Sequence, residues 1–233
     1  MERPRVAKLL PYLASQGWLK RIRNGIYVSV PLEASTPEGW AEDPWVLLSR
    51  VFQPAYIGGW SAAHHWGLTD QLFRTTIVYT QKQIRETRGE VQGLPFTVHT
   101  IPPQHFFGTE RVWRDDCPIE VSDASRTIID LLDTPADGGG MRHIAEILQA
   151  YLESQHADQR KLLDYAERLG NRTVYKRLGY LIEHLGQQEP VLTAECLTRR
   201  SRGISLLDPD LPAHGQVDRR WELRENVSFE DQE

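Results

Sequence analysis

The sequence predicts an α+β protein with a small basic head and a larger body. Three observations indicate this class. Residues 1–31 have the pattern of a helix followed by a hairpin, residues 73–121 contain short β-rich runs, and from residue 122 apolar residues recur at helical spacing. The chain has 233 residues, 40% of them hydrophobic, which is enough for a packed core.

The head pairs a helix with a hairpin. Apolar residues recur at helical spacing from Arg5 to Gln16, and Gly17 follows where a left-handed cap would lie. Two β-rich runs then flank Asn24-Gly25, a pair typical of tight hairpin turns. A helix followed directly by a basic hairpin is the second half of a winged helix. There the helix lies in the major groove and the hairpin approaches phosphates. Residues 1–31 are therefore predicted to be a partial winged helix.

Charge is distributed unevenly between head and body. The whole chain carries −5, but residues 1–31 hold six basic residues against one acid, or +5, so the other 202 residues carry −10. This asymmetry is expected when one small module meets a phosphate backbone. A basic face that only contacts solvent is the alternative. The predicted DNA contacts are Arg3, Arg5, Lys8, Lys20, Arg21 and Arg23.

A linker over residues 32–42 separates the head from a body over residues 43–225. The linker is rich in Pro, Ser, Thr and acids and has no apolar periodicity. Asp43-Pro44 then has the pattern of a capped helix start, and a short helix is expected over Ser61–Gly67. A small, mostly antiparallel sheet should follow. Its predicted strands are Phe73–Thr80, Leu94–Ile101, Arg111–Trp113 and Pro118–Val121.

A C-terminal helical bundle completes the body. Ser122 is the expected cap of its first helix, and Gly138–Gly140 break the chain before the next. The four apolar stripes begin at Ala124, Ile144, Leu162 and Val174, and each needs a packing partner. Beyond Gln188 we expect only one strand, around Trp221–Leu223, and an acidic tail over residues 226–233.

His64-His65 is the first candidate for chemistry. Adjacent residues on a helix point about 100° apart, so the pair cannot chelate one ion as residues four apart can. A metal site is therefore the weaker interpretation. In the stronger one, one imidazole packs against the neighbouring tryptophans and the other faces water.

Other groups resemble enzyme sites only in part. Gly138–Gly140 has the composition of a phosphate cradle but lacks the Lys-Ser/Thr of a P-loop and follows a helix, so a helix–helix turn is the preferred interpretation. The pairs Asp208/Asp210 and Asp115-Asp116 lack the third acid and the Gly-Ser loop of a nucleotidyltransferase. No nucleophile motif is present either. We therefore predict a protein that is not an enzyme and needs no metal or cofactor.

The cysteines and the hydropathy indicate a cytoplasmic protein. Cys117 and Cys196 are far apart and belong to no Cys-x-x-Cys pair, which fits two reduced thiols. The sequence contains no apolar run of membrane-spanning length and no secretion signal at its start.

The run Tyr56–Gln71, which contains Trp-Ser-Ala-x-His-x-Trp-Gly-Leu, resembles the signature of the AbiEi antitoxin family of abortive-infection systems. Three further segments agree in order and spacing: Leu19–Tyr27, Val121–Leu132 and Lys176–Leu181. The signature residues are Trp60, Ser61, His64, Trp66, Gly67, Arg126 and Arg177.

The resemblance implies an antitoxin that also represses its own operon. The winged helix would bind operator DNA, and the body would counter a toxin similar to nucleotidyltransferases, a functional partner that need not form a stable complex. A homodimer is compatible with this. A complete winged helix has two helices before its recognition helix, whereas here only about four residues precede the first helix, so weaker DNA binding is expected.

Two alternatives remain open. The acidic body could be a protein-interaction domain with a vestigial basic head, or the protein could be an enzyme that modifies the toxin or a nucleotide. Salt-sensitive binding to duplex DNA would separate the first alternative from the leading hypothesis. Turnover of nucleotide with Mg²⁺ would identify the second.

Overall fold

The computed structural model describes residues 3–23, 26–30, 43–114 and 116–229. The predicted linker, the Asn24-Gly25 turn and Asp115 lie outside these ranges. The helices are α1 (Arg3–Ser15), α2 (Pro44–Phe52), α3 (Gly59–His65), α4 (Ala124–Asp133), α5 (Met141–Glu153), α6 (Gln159–Leu169), α7 (Thr173–His184) and α8 (Pro190–Arg199). The strands are β1 (Leu19–Arg23), β2 (Ile26–Ser29), β3 (Ala55–Gly58), β4 (Thr76–Thr80), β5 (Arg88–Val91), β6 (Leu94–Thr100), β7 (Thr109–Arg114), β8 (Cys117–Ser122), β9 (Ser205–Leu206), β10 (Val217–Asp218) and β11 (Leu223–Arg224). None of the described helices has the length and apolar character needed to cross a membrane.

The head has the predicted order of helix and hairpin. Helix α1 ends at Ser15, and Gly17 takes a positive φ of 78°. The backbone N–H of Trp18 then donates to the carbonyl of Leu13 across 3.1 Å, which satisfies an end carbonyl of the helix. Strands β1 and β2 pair antiparallel, with Leu19 opposite Ser29. The helix and the hairpin are both confirmed, and the α+β class is confirmed with them.

The main sheet has six strands in the order β5-β6-β4-β3-β8-β7. Three neighbouring pairs are antiparallel, namely β5-β6, β4-β3 and β8-β7, while β6-β4 and β3-β8 are parallel. The sheet is therefore larger and more mixed than the small, mostly antiparallel sheet that the sequence suggested. The sequence did not predict β3 or β5, and their addition accounts for the larger size.

The two faces of this sheet carry different layers. Successive residues of a strand point to opposite faces, so Ile57 and Val78 pack with α2 on one face while Tyr56 and Tyr79 point to the other. Helix α2 begins as predicted, with Oδ1 of Asp43 accepting from the N–H of Trp45 at 2.8 Å. The central strands β3 and β4 are thus buried on both sides, whereas the edge strands β5 and β7 are partly exposed.

Helix α4 lies between the sheet and the remaining helices. Every residue from Ala124 to Leu132 is buried, because α4 contacts α3 and β8 on one side and α5, α6 and α7 on the others. The predicted cap Ser122 is wrong by one position. The N-cap is Asp123, whose Oδ1 accepts from the N–H of Arg126 at 2.7 Å. Ser122 instead hydrogen-bonds Thr127 through its hydroxyl, at 2.8 Å.

The C-terminal region contains more structure than the sequence suggested. Helix α8 was not predicted, although Pro190 occupies the first helical position where proline is favoured. Strands β9 and β11 pair in parallel, and β10 joins β11 antiparallel. Within the predicted tail, Asn226 is buried and the ring of Phe229 lies 4.2 Å from that of His184. Residues 226–229 therefore pack against the body, and residues 230–233 lie outside the described ranges.

Candidate functional site

The hairpin carries two predicted DNA contacts whose side chains are described. Arg21 is exposed, and its guanidinium lies 6.0 Å from the ring centroid of Tyr27, its cross-strand partner. Lys20 precedes it on the strand, is half-buried, and therefore points to the opposite face of the hairpin. One face of the hairpin thus presents a guanidinium beside an aromatic ring, an arrangement that can contact a phosphate.

The other four predicted contacts are placed only by their backbone. Arg3, Arg5 and Lys8 belong to α1, and Arg23 is the last residue of β1. Their side chains lie outside the described part of the chain, so their contact with DNA stays a prediction.

The signature run folds as β3 followed by α3. Trp60 stacks on Phe73 with ring centroids 4.3 Å apart, and its indole N–H donates to the carbonyl of Thr75 at 2.6 Å. Trp66 donates its indole N–H to the carbonyl of Ser122 at 2.7 Å. Gly67 ends the helix with a φ of 68°. The two tryptophans therefore tie α3 to the segment before β4 and to the end of β8.

Ser61 and His64 face a surface groove of about 210 Å³. Its walls include Trp45, Trp60 and Arg74. His64 is exposed, and within the described ranges no hydrogen bond joins the side chain of Ser61 or His64 to another residue. These two signature residues therefore have no visible role in holding the fold together.

The two adjacent histidines behave as the packing interpretation predicts. The ring of His65 lies 5.6 Å from that of Trp45 and 4.7 Å from that of Trp66, both edge to face. Burial, followed by the charges of Arg114 and His64, lowers the pKa of His65, so its imidazole packs in the neutral form. Among the described residues, no three His, Cys, Asp or Glu side chains are placed to hold a metal ion.

Arg126 of the signature lies in a buried polar network. Its Nε is 2.8 Å from Oδ1 of Asp130, and its Nη2 donates to the hydroxyl of Tyr56 at 3.2 Å. The Tyr56 hydroxyl in turn donates to Oδ2 of Asp130 at 3.0 Å. The ring of Phe107 lies 4.0 Å from the guanidinium carbon. Arg126 therefore joins α4 to β3 rather than reaching solvent.

A second set of polar groups continues this network and was missed from the sequence. Tyr79 stacks on Tyr56 at 4.9 Å and donates its hydroxyl to Oδ2 of Asp137 at 2.8 Å. The Nε2 of His99 lies 2.8 Å from the same oxygen. Burial raises the pKa of both tyrosines well above the ordinary value, and the neighbouring carboxylates add to the effect, so the hydroxyls stay protonated donors. The sheet register places Tyr56, Tyr79 and His99 side by side, and the turn after α4 adds Asp137.

Arg177 of the signature is also structural. Its Nε donates to the carbonyl of Leu207 at 3.0 Å, and its Nη1 donates to the carbonyl of Leu132 at 2.6 Å. The neighbouring Lys176 is fully buried and donates to the carbonyls of Gly203 and Glu222. The two cations connect α7 to the end of α4 and to the small C-terminal sheet.

In the glycine turn before α5, a carboxylate of the protein itself accepts the backbone hydrogen bond that a bound phosphate would need. The backbone N–H of Met141, at the start of α5, donates to Oδ2 of Asp208 at 3.1 Å. Oδ1 of Asp208 accepts from the N–H of Asp210. The structure therefore supports the interpretation as a capped helix–helix turn and not the one as a phosphate cradle. It also gives Asp208 a structural partner.

No protein-family model matches the chain, and no curated protein is significantly similar to it in sequence. Among solved structures, the fold is similar to one described as the crystal structure of the RV2827C protein from Mycobacterium tuberculosis. The TM-score is 0.64 and the identity is 15%, over 93% of this chain and 78% of that one. At this identity the likeness shows a shared fold.

Proposed function

We propose that the protein is a cytoplasmic, DNA-binding regulator and antitoxin of a phage-defence operon, and that it is not an enzyme. One observation carries the DNA-binding half. A helix is followed directly by an antiparallel hairpin that exposes Arg21 beside Tyr27. This is the arrangement that winged helices use to place a helix in the major groove and a basic hairpin on the backbone.

The antitoxin half rests on the resemblance of the signature segments to the AbiEi family. Four of the signature residues, Trp60, Trp66, Arg126 and Arg177, hold parts of the fold together, which agrees with a motif that belongs to one fold. The implied functional partner is a toxin similar to nucleotidyltransferases. Operator DNA is the implied ligand of the head.

A protein-interaction role is the second candidate. It is favoured by the groove at Ser61 and His64, whose rim carries Leu72 with 81% of its surface exposed. An exposed large apolar residue beside tryptophans is typical of a protein contact. In this case the toxin would bind the body directly.

The DNA-binding half is tested by band-shift titration of the whole chain on its own upstream DNA, at low and moderate salt. Arg21→Ala should weaken binding roughly tenfold or more, and the wild-type affinity should fall as salt rises, since phosphate contacts release counterions. Arg88→Ala on β5 is the matched control and should bind as the wild type does. The proposal would be contradicted if Arg21→Ala bound DNA as tightly as the wild type and the control do. Binding that does not depend on salt would contradict it as well.

The antitoxin half is tested by growth of cells that express the neighbouring toxin gene with or without this chain. Rescue of growth by both wild type and Arg21→Ala would support an antitoxin body that acts apart from DNA. Failure of both to rescue would contradict the antitoxin role.

A further inference from the structure

The backbone brings three arginines near one another where α7 begins and α8 ends. The backbone N–H of Ser201 donates to the carbonyl of Arg172 at 3.3 Å. This contact brings Arg172 next to Arg200 and Arg202, which belong to the arginine-rich loop over Arg199–Gly203. Arg172 and Arg202 are exposed. Within the described ranges, no carboxylate forms an ion pair with any of these three guanidiniums, whereas the neighbouring Arg199 pairs with Glu195 at 2.7 Å. The loop is thus a local cluster of uncompensated positive charge.

Two buried polar atoms of the same loop have no hydrogen-bond partner. They are Nε of Arg200 and Oγ of Ser201. Folded proteins leave few such atoms unpaired, so each one calls for an explanation, and an ion at the site is one such explanation. The N–H at Nε can only donate, and a serine hydroxyl can donate as well. A group that satisfied either atom would therefore be an acceptor, and beside arginine side chains the favoured acceptor is an anion.

A purely structural role explains only part of this cluster. Nη1 of Arg200 donates to the carbonyl of Leu197, which is how a basic residue commonly serves the C-terminal end of a helix. Arg172 and Arg202 make no such contact within the described ranges. Arg172 also immediately precedes α7, whose N-terminal end adds positive potential at the same place.

We infer that Arg172, Arg200, Ser201 and Arg202 form a phosphate-binding site. Guanidinium groups match phosphate oxygens with paired, charge-assisted hydrogen bonds, which makes arginine the preferred residue for this anion. Three guanidiniums from two adjoining loops favour a ligand with neighbouring phosphate groups. A free nucleotide or a nucleic-acid backbone can supply them. The site lies in the body, so it does not depend on DNA binding by the hairpin.

The test is calorimetric titration of the whole chain with three probes: inorganic pyrophosphate, a nucleoside triphosphate with Mg²⁺, and a short duplex DNA. Arg172→Gln with Arg202→Gln should weaken binding of the probe roughly tenfold or more, since charge-assisted hydrogen bonds are lost. Ser201→Ala should weaken it by a smaller factor. The control is Arg85→Gln with Arg88→Gln, which removes the same charge from exposed positions at or beside β5.

The outcomes separate the sources of phosphate. Binding of pyrophosphate or the triphosphate that is lost only in the Arg172/Arg202 variant supports the site with a free nucleotide as its ligand. Binding of duplex alone, lost in the same variant and kept when Arg21→Ala removes the hairpin contact, supports the site with a nucleic-acid backbone. If no probe binds, or if both double variants lose affinity equally, the inference is overturned. Unchanged thermal unfolding of each variant shows that the fold is intact.

Discussion

Asp130 follows Arg126 by one helical turn on α4, and its Oδ1 lies 2.8 Å from Arg126 Nε, although the side chains are only 3% and 1% exposed. Two opposite charges this far from water are stable only together, because removal of one partner leaves the other buried and uncompensated. The Tyr56 hydroxyl bridges both groups and connects the pair to the central strand β3. The pair is therefore a buried ion pair at the contact between α4 and β3.

Removal of one partner of this pair should strongly destabilise the fold. Arg126→Met is expected to lower the free energy of unfolding by about 3–5 kcal/mol, because Asp130 is then left unpaired in the core. Urea denaturation measures the change. Arg111→Met is the matched control, since Arg111 pairs with Glu120 but is 64% exposed, and it should cost at most about 1 kcal/mol. Equal losses in the two variants would show that burial of the pair has little effect.

The stability of the protein should depend on pH through Asp130. Burial raises the pKa of Asp130 from 3.8 to about 6, against the opposing effects of Arg126 and Tyr56. An acid with a raised native pKa contributes stability that is present below its unfolded pKa and is lost as pH rises through the native one. The contribution of Asp130 should therefore fall between about pH 4 and about pH 6. Urea denaturation across this range should show a component that Asp130→Asn removes. An identical pH profile in the variant would contradict this assignment.

Gly179 should tolerate no side chain. A Cβ at this position in α7 would lie 1.9 Å from the ring of Trp221, which is fully buried. Alanine normally favours a helix interior by up to about 1 kcal/mol, but here Gly179→Ala should destabilise by about 3 kcal/mol or more, since the ring must move. Gly186→Ala is the control, because only its positive φ of 66° is strained and its surroundings are open. Thermal unfolding compares them, and a larger loss in the control would contradict the packing argument.

Lys176 should hold the arginine-rich loop in place. Its ammonium donates to the carbonyl of Gly203, to Oγ of Ser205 and to the carbonyl of Glu222, the last two at 3.2 Å. Lys176→Met removes these three hydrogen bonds, although the Glu222 carbonyl keeps the N–H of Ser205 as a partner. We therefore expect a loss of about 2–4 kcal/mol and faster amide exchange around residues 203–205. Lys161→Met, at a side chain that is 47% exposed, should change neither quantity much. Unaltered exchange in the Lys176 variant would show that the loop is held by other contacts.

Local signals in the sequence predicted most of the helices and the hairpin. Asp43-Pro44 begins α2 and Gly17 follows the end of α1, since caps and turns depend on residues only a few positions apart. The signal for α8 was also present, because Pro190 is suited to the first turn, but proline was interpreted there as a break. Strand β5 has an alternating charged pattern with few apolar residues, and its pairing with β6 is what makes it a strand.

The sequence analysis named candidate site residues, but it could not show what those residues contact. Arg126 and Arg177 were identified by resemblance, and nothing in their neighbourhood showed that both would be buried. One of the two adjacent histidines was expected to pack and the other to face water, because adjacent residues on a helix point apart, and the structure gives these roles to His65 and His64. Nothing in the sequence indicated Tyr79, His99 and Asp137, because their polar contacts cross from one strand or turn to another.

The amino-acid pattern alone accounts for the α+β class, the helix–hairpin head, the start of α2 and the apolar stripes of four C-terminal helices. These features arise from interactions within a turn or two of the chain, so a single sequence contains them. The six-strand order, the burial of Arg126 with Asp130, and the meeting of Arg172 with the loop after α8 depend on the tertiary structure. Each of these features requires segments that are far apart in the sequence to come into contact. The entropy cost of that contact is offset only by the packing of the whole core, which no local sequence pattern reveals.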